Sequence, residues 1–153
     1  MSKAEEAHAV SDGPGFVDDY LLYLLARASH QVSRQFHRQV KTAGLSVPEW
    51  RVLVTLNDGD GRTVGELAAF TLLEQPTLTK VLNRMARDGL ITREPDADDA
   101  RRVRIHSTAA GRARVAGPMQ AAKAHERQVL KGYDADEARA LKDALKTLIA
   151  RSG

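Results

Sequence analysis

The stretch TVGELAAFTLLEQPTLTKVLNRMARDGLITREPDADDARRVRIHST, Thr63–Thr108, decides the fold. It opens on Thr63-Val64-Gly65-Glu66, a capping box in which the threonine hydroxyl accepts an orphan amide N–H and Glu66 reaches back to the cap. Val64, Leu67, Ala68 and Phe70 supply the buried side of the helix so begun, and Thr71-Leu72-Leu73-Glu74 turns the chain. A second helix opens at Gln75 or Pro76, because a first-turn proline gives up an N–H that has no partner in the helix anyway. Asp88-Gly89 closes it with a glycine cap. Leu78, Val81, Leu82 and Met85 fall at i, i+3, i+4 and i+7, so this second helix turns one apolar face to a core.

Its opposite face carries Thr77, Thr79, Lys80, Asn83, Arg84 and Arg87. These are hydroxyls and an amide for base edges and phosphates, and cations for guanine or the backbone. On a lone helix such a face is an ordinary solvated surface, but the residues that follow give it a purpose. Leu90-Ile91-Thr92-Arg93 and Val103-Arg104-Ile105-His106-Ser107 read as short strands, and Glu94–Arg102 between them is too polar to bury, so it projects as a wing. Asp98 and Asp99 precede Arg101 and Arg102 near its tip, an arrangement in which an aspartate holds an arginine extended. A preset arginine suits a minor groove, where narrow A·T-rich DNA concentrates negative potential. Helix, turn, helix and basic hairpin in that order make a winged helix-turn-helix.

Upstream, Ser46-Val47-Pro48-Glu49 is a second capping box. The helix it opens runs through Trp50, Val52, Leu53 and Leu56 to Asn57-Asp58-Gly59 and serves as a scaffold, with Trp50 as core or pocket wall. From about Phe16 to Thr42 a long helix repeats Leu21, Leu25, Ala28, Val32, Phe36 and Val40 at spacings of three and four, with Gly44 as its C-cap. Downstream, Thr108 caps a helix running to about Lys131, and Asp134-Ala135-Asp136-Glu137 starts the last one. That final helix lines up Ala138, Leu141, Leu145, Leu148 and Ile149 on one face. The helices at the two ends of the chain carry more apolar surface than one wing lobe covers, which implies a homodimer intertwined about a two-fold axis. Its two recognition helices would stand about 34 Å apart on a pseudo-palindrome. Residues 1–15 offer little to bury and read as a loose arm.

The segments Leu45-Ser46-Val47-Pro48-Glu49-Trp50-Arg51-Val52-Leu53, Thr63–Ala68, Thr77–Arg84, Gly89-Leu90-Ile91 and the wing ending in Thr108-Ala109-Ala110-Gly111 resemble, in order and spacing, the MarR (multiple antibiotic resistance regulator) family of transcription factors. The resemblance implies a mainly α fold, with a winged helix-turn-helix lobe over residues 45–108 and dimerisation helices over 16–44 and 109–153. It makes Gln75–Asp88 the recognition helix, with DNA contacts from Gln75, Pro76, Thr77, Thr79, Lys80 and Arg84. It also makes Arg101 the wing-tip arginine, supported by Asp99. The family often places two arginines directly after that aspartate, whereas Ala100 intervenes here, so Arg101 and Arg102 both stand as the minor-groove residue. The function implied is a ligand-responsive repressor of a pseudo-palindromic operator. Its effector crevice would lie near His30, Arg34 and His37, with Tyr23, Trp50 and Met119 as apolar walls. Such a lining suits a small anionic aromatic molecule, an aromatic carboxylate or its coenzyme A thioester, with phenols as a close second.

The chain has 153 residues, enough for one domain with a real core, and a formal charge of +3. Nine cations against six acids between Thr71 and Arg114 account for that whole excess. There is no cysteine, so neither a disulfide nor a thiol peroxide sensor is available. The longest apolar run, Tyr20–Ala26, is far short of the roughly 20 residues that span a bilayer, and with no signal peptide a cytoplasmic protein is expected. His8, His30, His37, His106 and His125 form no tight ligand cluster, so no metal or cofactor is expected. An enzyme is disfavoured because no nucleophile elbow and no phosphate-cradling glycine loop occurs. The rival reading is an architectural DNA coater, which would bind random DNA as well as any operator.

Overall fold

The computed structural model describes Gly13 and residues 15–153, so apart from Gly13 and Gly15 the expected N-terminal arm lies outside the described residues. The chain divides into two compact units, one ending at Gln35 and one spanning Phe36–Gly153. The first holds α1 (Phe16–Asp19) and the start of α2 (Leu21–Thr42). The single helix expected from Phe16 is interrupted at Tyr20, which is extended (φ −80°, ψ 118°). Its carbonyl accepts the Leu24 amide at 3.0 Å and so begins α2. Asp18 and Asp19 stand just before that start, where the positive end of a helix dipole favours acids. Leu21, Leu22, Leu24 and Val32 are exposed.

The second unit follows the expected order with one addition: α3 (Val47–Asp58), β1 (Arg62–Thr63), α4 (Val64–Thr71), α5 (Gln75–Arg87), β2 (Ile91–Pro95), β3 (Val103–Ser107), α6 (Ala109–Val129) and α7 (Ala135–Ser152). The capping boxes at Ser46, Thr63 and Asp134 all form. Strand β1 was not foreseen; it pairs antiparallel with β3, Arg62 opposite Ile105, and completes a sheet ordered β1-β3-β2. The hairpin register runs from Ile91 opposite Ser107 to Pro95 opposite Val103.

The core gathers Val40 and Leu53 with Leu67, Leu78, Leu82, Met85, Ile105 and Val115, all essentially without solvent exposure. All four periodic positions of α5 are buried, at about 2 kcal/mol of transfer free energy for each large side chain before entropy is counted. Phe70 departs from expectation: it is 56% exposed, beneath the Arg62 guanidinium, which sits 4.9 Å from its ring centroid. Thr71 is buried instead, with its carbonyl accepting Arg51 Nη1 at 3.1 Å. Leu72 then ends α4 with φ 60°, a left-handed conformation seldom adopted outside glycine, and this reverses the chain toward α5. At the far end Lys142 bridges to Glu126 at 2.8 Å, while Leu141, Leu145 and Ile149 remain 40–72% exposed along α7.

Candidate nucleic-acid interface

Helix α5 begins with Pro76 in its first turn and leaves Gln75, Pro76, Thr77, Thr79 and Lys80 exposed on the face away from the core. The Thr79 hydroxyl donates to the Gln75 carbonyl at 2.9 Å, so toward a ligand it presents an acceptor. The last turns are tied down. Arg93 Nη2 donates to Asn83 Oδ1 at 2.7 Å, joining β2 to α5. Arg84 Nε lies 3.2 Å from Glu49 Oε1, and the other oxygen of Glu49 accepts the Ser46 amide at 2.8 Å. The buried Glu49 thus performs two tasks, capping α3 and holding an arginine of α5. Arg84 keeps a half-exposed guanidinium, turned to α3 through Nε.

The wing tip is ordered by its own acids. Asp99 Oδ1 accepts both the Arg101 amide at 3.0 Å and Arg101 Nε at 3.2 Å. Arg102 Nε stands 3.9 Å from the other oxygen of the same carboxylate. Both arginines are therefore leashed to Asp99, and Arg101 the more closely. Asp96 overturns the expectation that Glu94–Arg102 is too polar to bury: it is 6% exposed, because its charge is met by Arg104 Nε and by the Asp98 amide at 2.8 Å. The Asp98 amide is the strongest influence holding the Asp96 carboxyl below the usual range; burial opposes it and Arg104 adds to it. A notch of about 560 Å³ separates Arg101–Arg104 from the first turn of α4, Thr63–Glu66.

The root of the wing is pinned by His106, whose Nδ1 lies 3.0 Å from Asp60 Oδ2 and whose Nε2 lies 3.5 Å from Glu94 Oε2. Asp60 also accepts the Ser107 amide at 2.8 Å. Burial would raise the Asp60 carboxyl, but the Ser107 amide and His106 together hold it below its ordinary value.

Of the residues expected to line an effector crevice, Tyr23, His30 and Arg34 are exposed on the first unit. Trp50, His37 and Met119 belong to the second, with Trp50 buried and Met119 packed on the core. Phe36 links two of them: Trp50 meets its edge at 5.1 Å and the His37 ring lies 6.3 Å away. Phe36 also stacks with His125 at 5.8 Å, a histidine that sequence spacing left unassigned. Burial, then the charges of Arg51 and Lys41, push the His37 imidazole below its usual pKa, so at neutral pH it offers a hydrogen-bonding ring and no charge. Glu49, Asp60, Asp96 and His106 were likewise missed as organisers of the interface. Only Glu49 carried a local signal, its place in a capping box.

The MarR family model matches residues 43–102. The chain is 41% identical to a MarR family transcriptional regulator of Silicibacter pomeroyi DSS-3, whose crystal structure aligns with a TM-score of 0.81 over 92% of this chain and 100% of that one. The transcriptional repressor CouR, solved on a 23-mer DNA duplex, is 27% identical with a TM-score of 0.77 over 91% and 99% of the two chains. Among curated proteins, the HTH-type transcriptional repressor IacR of Pseudomonas putida is 32% identical over 61% of this chain, which spans only 56% of that repressor. The homoprotocatechuate degradative operon repressor of Escherichia coli is 28% identical over 86% of this chain and 89% of its own length.

Proposed function

This chain belongs to the MarR family of transcriptional regulators, and on that premise we propose that it is a homodimeric repressor of a pseudo-palindromic operator, released by a small anionic aromatic effector. The observation that carries the DNA-binding half is the pairing of two exposed surfaces on one lobe: the Gln75–Lys80 face of α5 and a wing whose Arg101 is held by Asp99. Helix α5 enters the major groove, where Gln75, Thr77 and Thr79 reach base edges or phosphates and Lys80 neutralises backbone charge. Pro76 fixes the entry of the helix, and Arg84, braced by Glu49, supports its C-terminal turns. Arg101, with Arg102 beside it, enters the minor groove. The second copy docks through the apolar stripes that stay exposed on the terminal helices, Leu141, Leu145 and Ile149 among them.

The effector half is supported by the Phe36, Trp50 and His125 cluster beside His37, apolar rings edged with hydrogen-bonding nitrogens. The sequence adds Tyr23, His30, Arg34 and Met119 to that set, with Arg34 as the cation for a carboxylate. The E. coli relative that represses a homoprotocatechuate degradative operon favours an aromatic acid, or its coenzyme A thioester, as the class to try first. Binding would change the separation of the two recognition helices, and because each must fit its own half-site, a small spread costs both sets of contacts together.

Fluorescence anisotropy tests this on DNA from upstream of the protein's own gene against random DNA, at one salt concentration, with aromatic acids and their thioesters added in turn. Specific binding released by one compound is the expected result. Equal affinity for random DNA would sink the repressor and favour the architectural alternative.

A further inference from the structure

Asp96 begins the loop that carries the wing's arginines, yet it is the most buried residue of that loop. Its Oδ1 accepts the amides of Asp98 at 2.8 Å and Asp99 at 3.3 Å, while its Oδ2 takes Arg104 Nε. Arg104 continues across the sheet and donates from Nη1 to the Gly61 carbonyl at 2.7 Å, in the turn before β1 and α4. The Asp96 amide donates to the Arg102 carbonyl at 3.0 Å, and the Arg102 amide to the Asp99 carbonyl at 2.9 Å. Asp96 and Arg104 in series thus join the rising half of the loop, strand β3 and the turn that leads into the helix-turn-helix.

The side chain of Arg101 is 91% exposed, and its carboxylate partner is itself a third exposed. An ion pair in that setting positions little on its own, since water screens it and both side chains keep their freedom. Asp99 can aim an arginine only if its own backbone is fixed, and of the two bonds that fix it, Arg102 N–H on its carbonyl and Asp96 Oδ1 on its amide, the side-chain one comes from Asp96. We infer that Asp96 is a positioning residue for the wing: through Asp99 it presets Arg101 for the minor groove, and through Arg104 it sets the wing against α4, without touching DNA itself. It also consumes the charge of Arg104, which therefore braces the wing and leaves phosphate contact to its neighbours.

This inference rests on the proposed wing contact, and a double-mutant cycle separates the two. Asp96→Asn, Arg101→Ala and the double variant, in the full chain, are titrated on operator DNA by anisotropy at fixed salt. The same variants are titrated on operators in which the A·T pairs under the wing are changed to G·C. Arg101→Ala is expected to weaken binding about tenfold, the low end for a base-edge arginine, and Asp96→Asn nearly as much. The double variant should be no weaker than Arg101→Ala alone, and the A·T preference should shrink equally in all three. A substitution that merely loosened the fold would add to the loss from Arg101→Ala and leave the A·T preference intact, and that outcome overturns the positioning role. If Arg101→Ala binds like the parent, the wing contact fails and this inference with it. Asp96→Glu repeats the cycle if the neutral variant does not fold, because it keeps the charge for Arg104 while moving the oxygen that holds Asp98 and Asp99; non-additivity is expected again, and additivity refutes it.

Discussion

Gly111 offers the sharpest test of how the DNA-reading lobe is joined to the helix that follows it. It lies in the first turn of α6, buried against the end of the recognition segment. A Cβ placed there would stand 2.2 Å from the Leu90 carbonyl oxygen, 2.9 Å from Ser107 Oγ and 3.2 Å from Leu53 Cδ2. A carbon meets a carbonyl oxygen comfortably at about 3.3 Å, so Gly111→Ala requires this turn of α6 to retreat by roughly 1 Å. The junction it would leave is knit by Thr108, whose amide donates to Leu90 O at 3.1 Å and whose hydroxyl donates to Gly89 O at 2.6 Å. Alanine gains about 1 kcal/mol of helix propensity. Against that stand about 1–3 kcal/mol of overpacking and about 1 kcal/mol for a strained or broken hydrogen bond. The expected balance is a loss of about 2 kcal/mol, or a fall in Tm of roughly 4–8 °C for a domain of this size. The control is Gly65→Ala in α4, where the new Cβ would meet nothing closer than Gln75 Nε2 at 3.7 Å. There propensity acts unopposed and Tm should hold or rise. Differential scanning calorimetry of both variants decides the matter: a Gly111→Ala protein as stable as the parent would show that the approach of α6 to Leu90 is not the constraint described.

Lys80→Ala should lower the slope of log affinity against log salt by about 0.9, one phosphate contact's worth, and an unchanged slope would mean α5 lies differently on DNA. Asp60 has a folded pKa below its ordinary value, so its contribution to stability is full above the usual carboxylate range and is lost as pH falls through the folded value. Asp60→Asn should therefore melt below the parent at pH 7, with the gap narrowing as pH falls below the usual carboxylate range, and a gap that does not change with pH would remove the carboxylate from the account. Arg34→Ala should leave operator affinity intact while blunting release by the effector; loss of DNA binding itself would mark Arg34 as structural.

The legible parts of this molecule are those whose causes lie within four residues. The boxes at Ser46, Thr63 and Asp134 place helix starts, and the Leu78, Val81, Leu82, Met85 spacing faces α5 inward, because cap and periodicity are local rules. Phe70 was misplaced by the same kind of rule. Helix periodicity made it a core residue, but α4 is only eight residues long and its last turn buries Thr71, leaving the ring to shelter Arg62. Strand β1 gave no signal because two residues have no period; it exists because β3 arrives from more than forty positions away.

Charge was the hardest quantity to read from the sequence. Counted along the chain, the acids near the wing and ahead of the recognition helix subtract from the attraction to DNA. In space, three of them hold side chains of the lobe in place. Glu49 takes Arg84, Asp96 takes Arg104, and Asp60 takes His106 and the Ser107 amide, which fixes the angle of α5, the pitch of the wing and the root of the hairpin in turn. The two arginine pairs remove cations from the phosphate tally and convert them into geometry. On the dimeric reading proposed above, a regulator that grips two half-sites at a set spacing gains more from that exchange than from added positive charge: a cation attracts any DNA, whereas a rigid wing and helix attract only a duplex whose grooves lie where they point. The same three acids are therefore expected to affect the ratio of operator to random-DNA affinity more than either affinity alone. Neutralising any one of them should lower that ratio even where the added positive charge strengthens binding to random DNA, and competition titrations with random duplex would expose the opposite result directly.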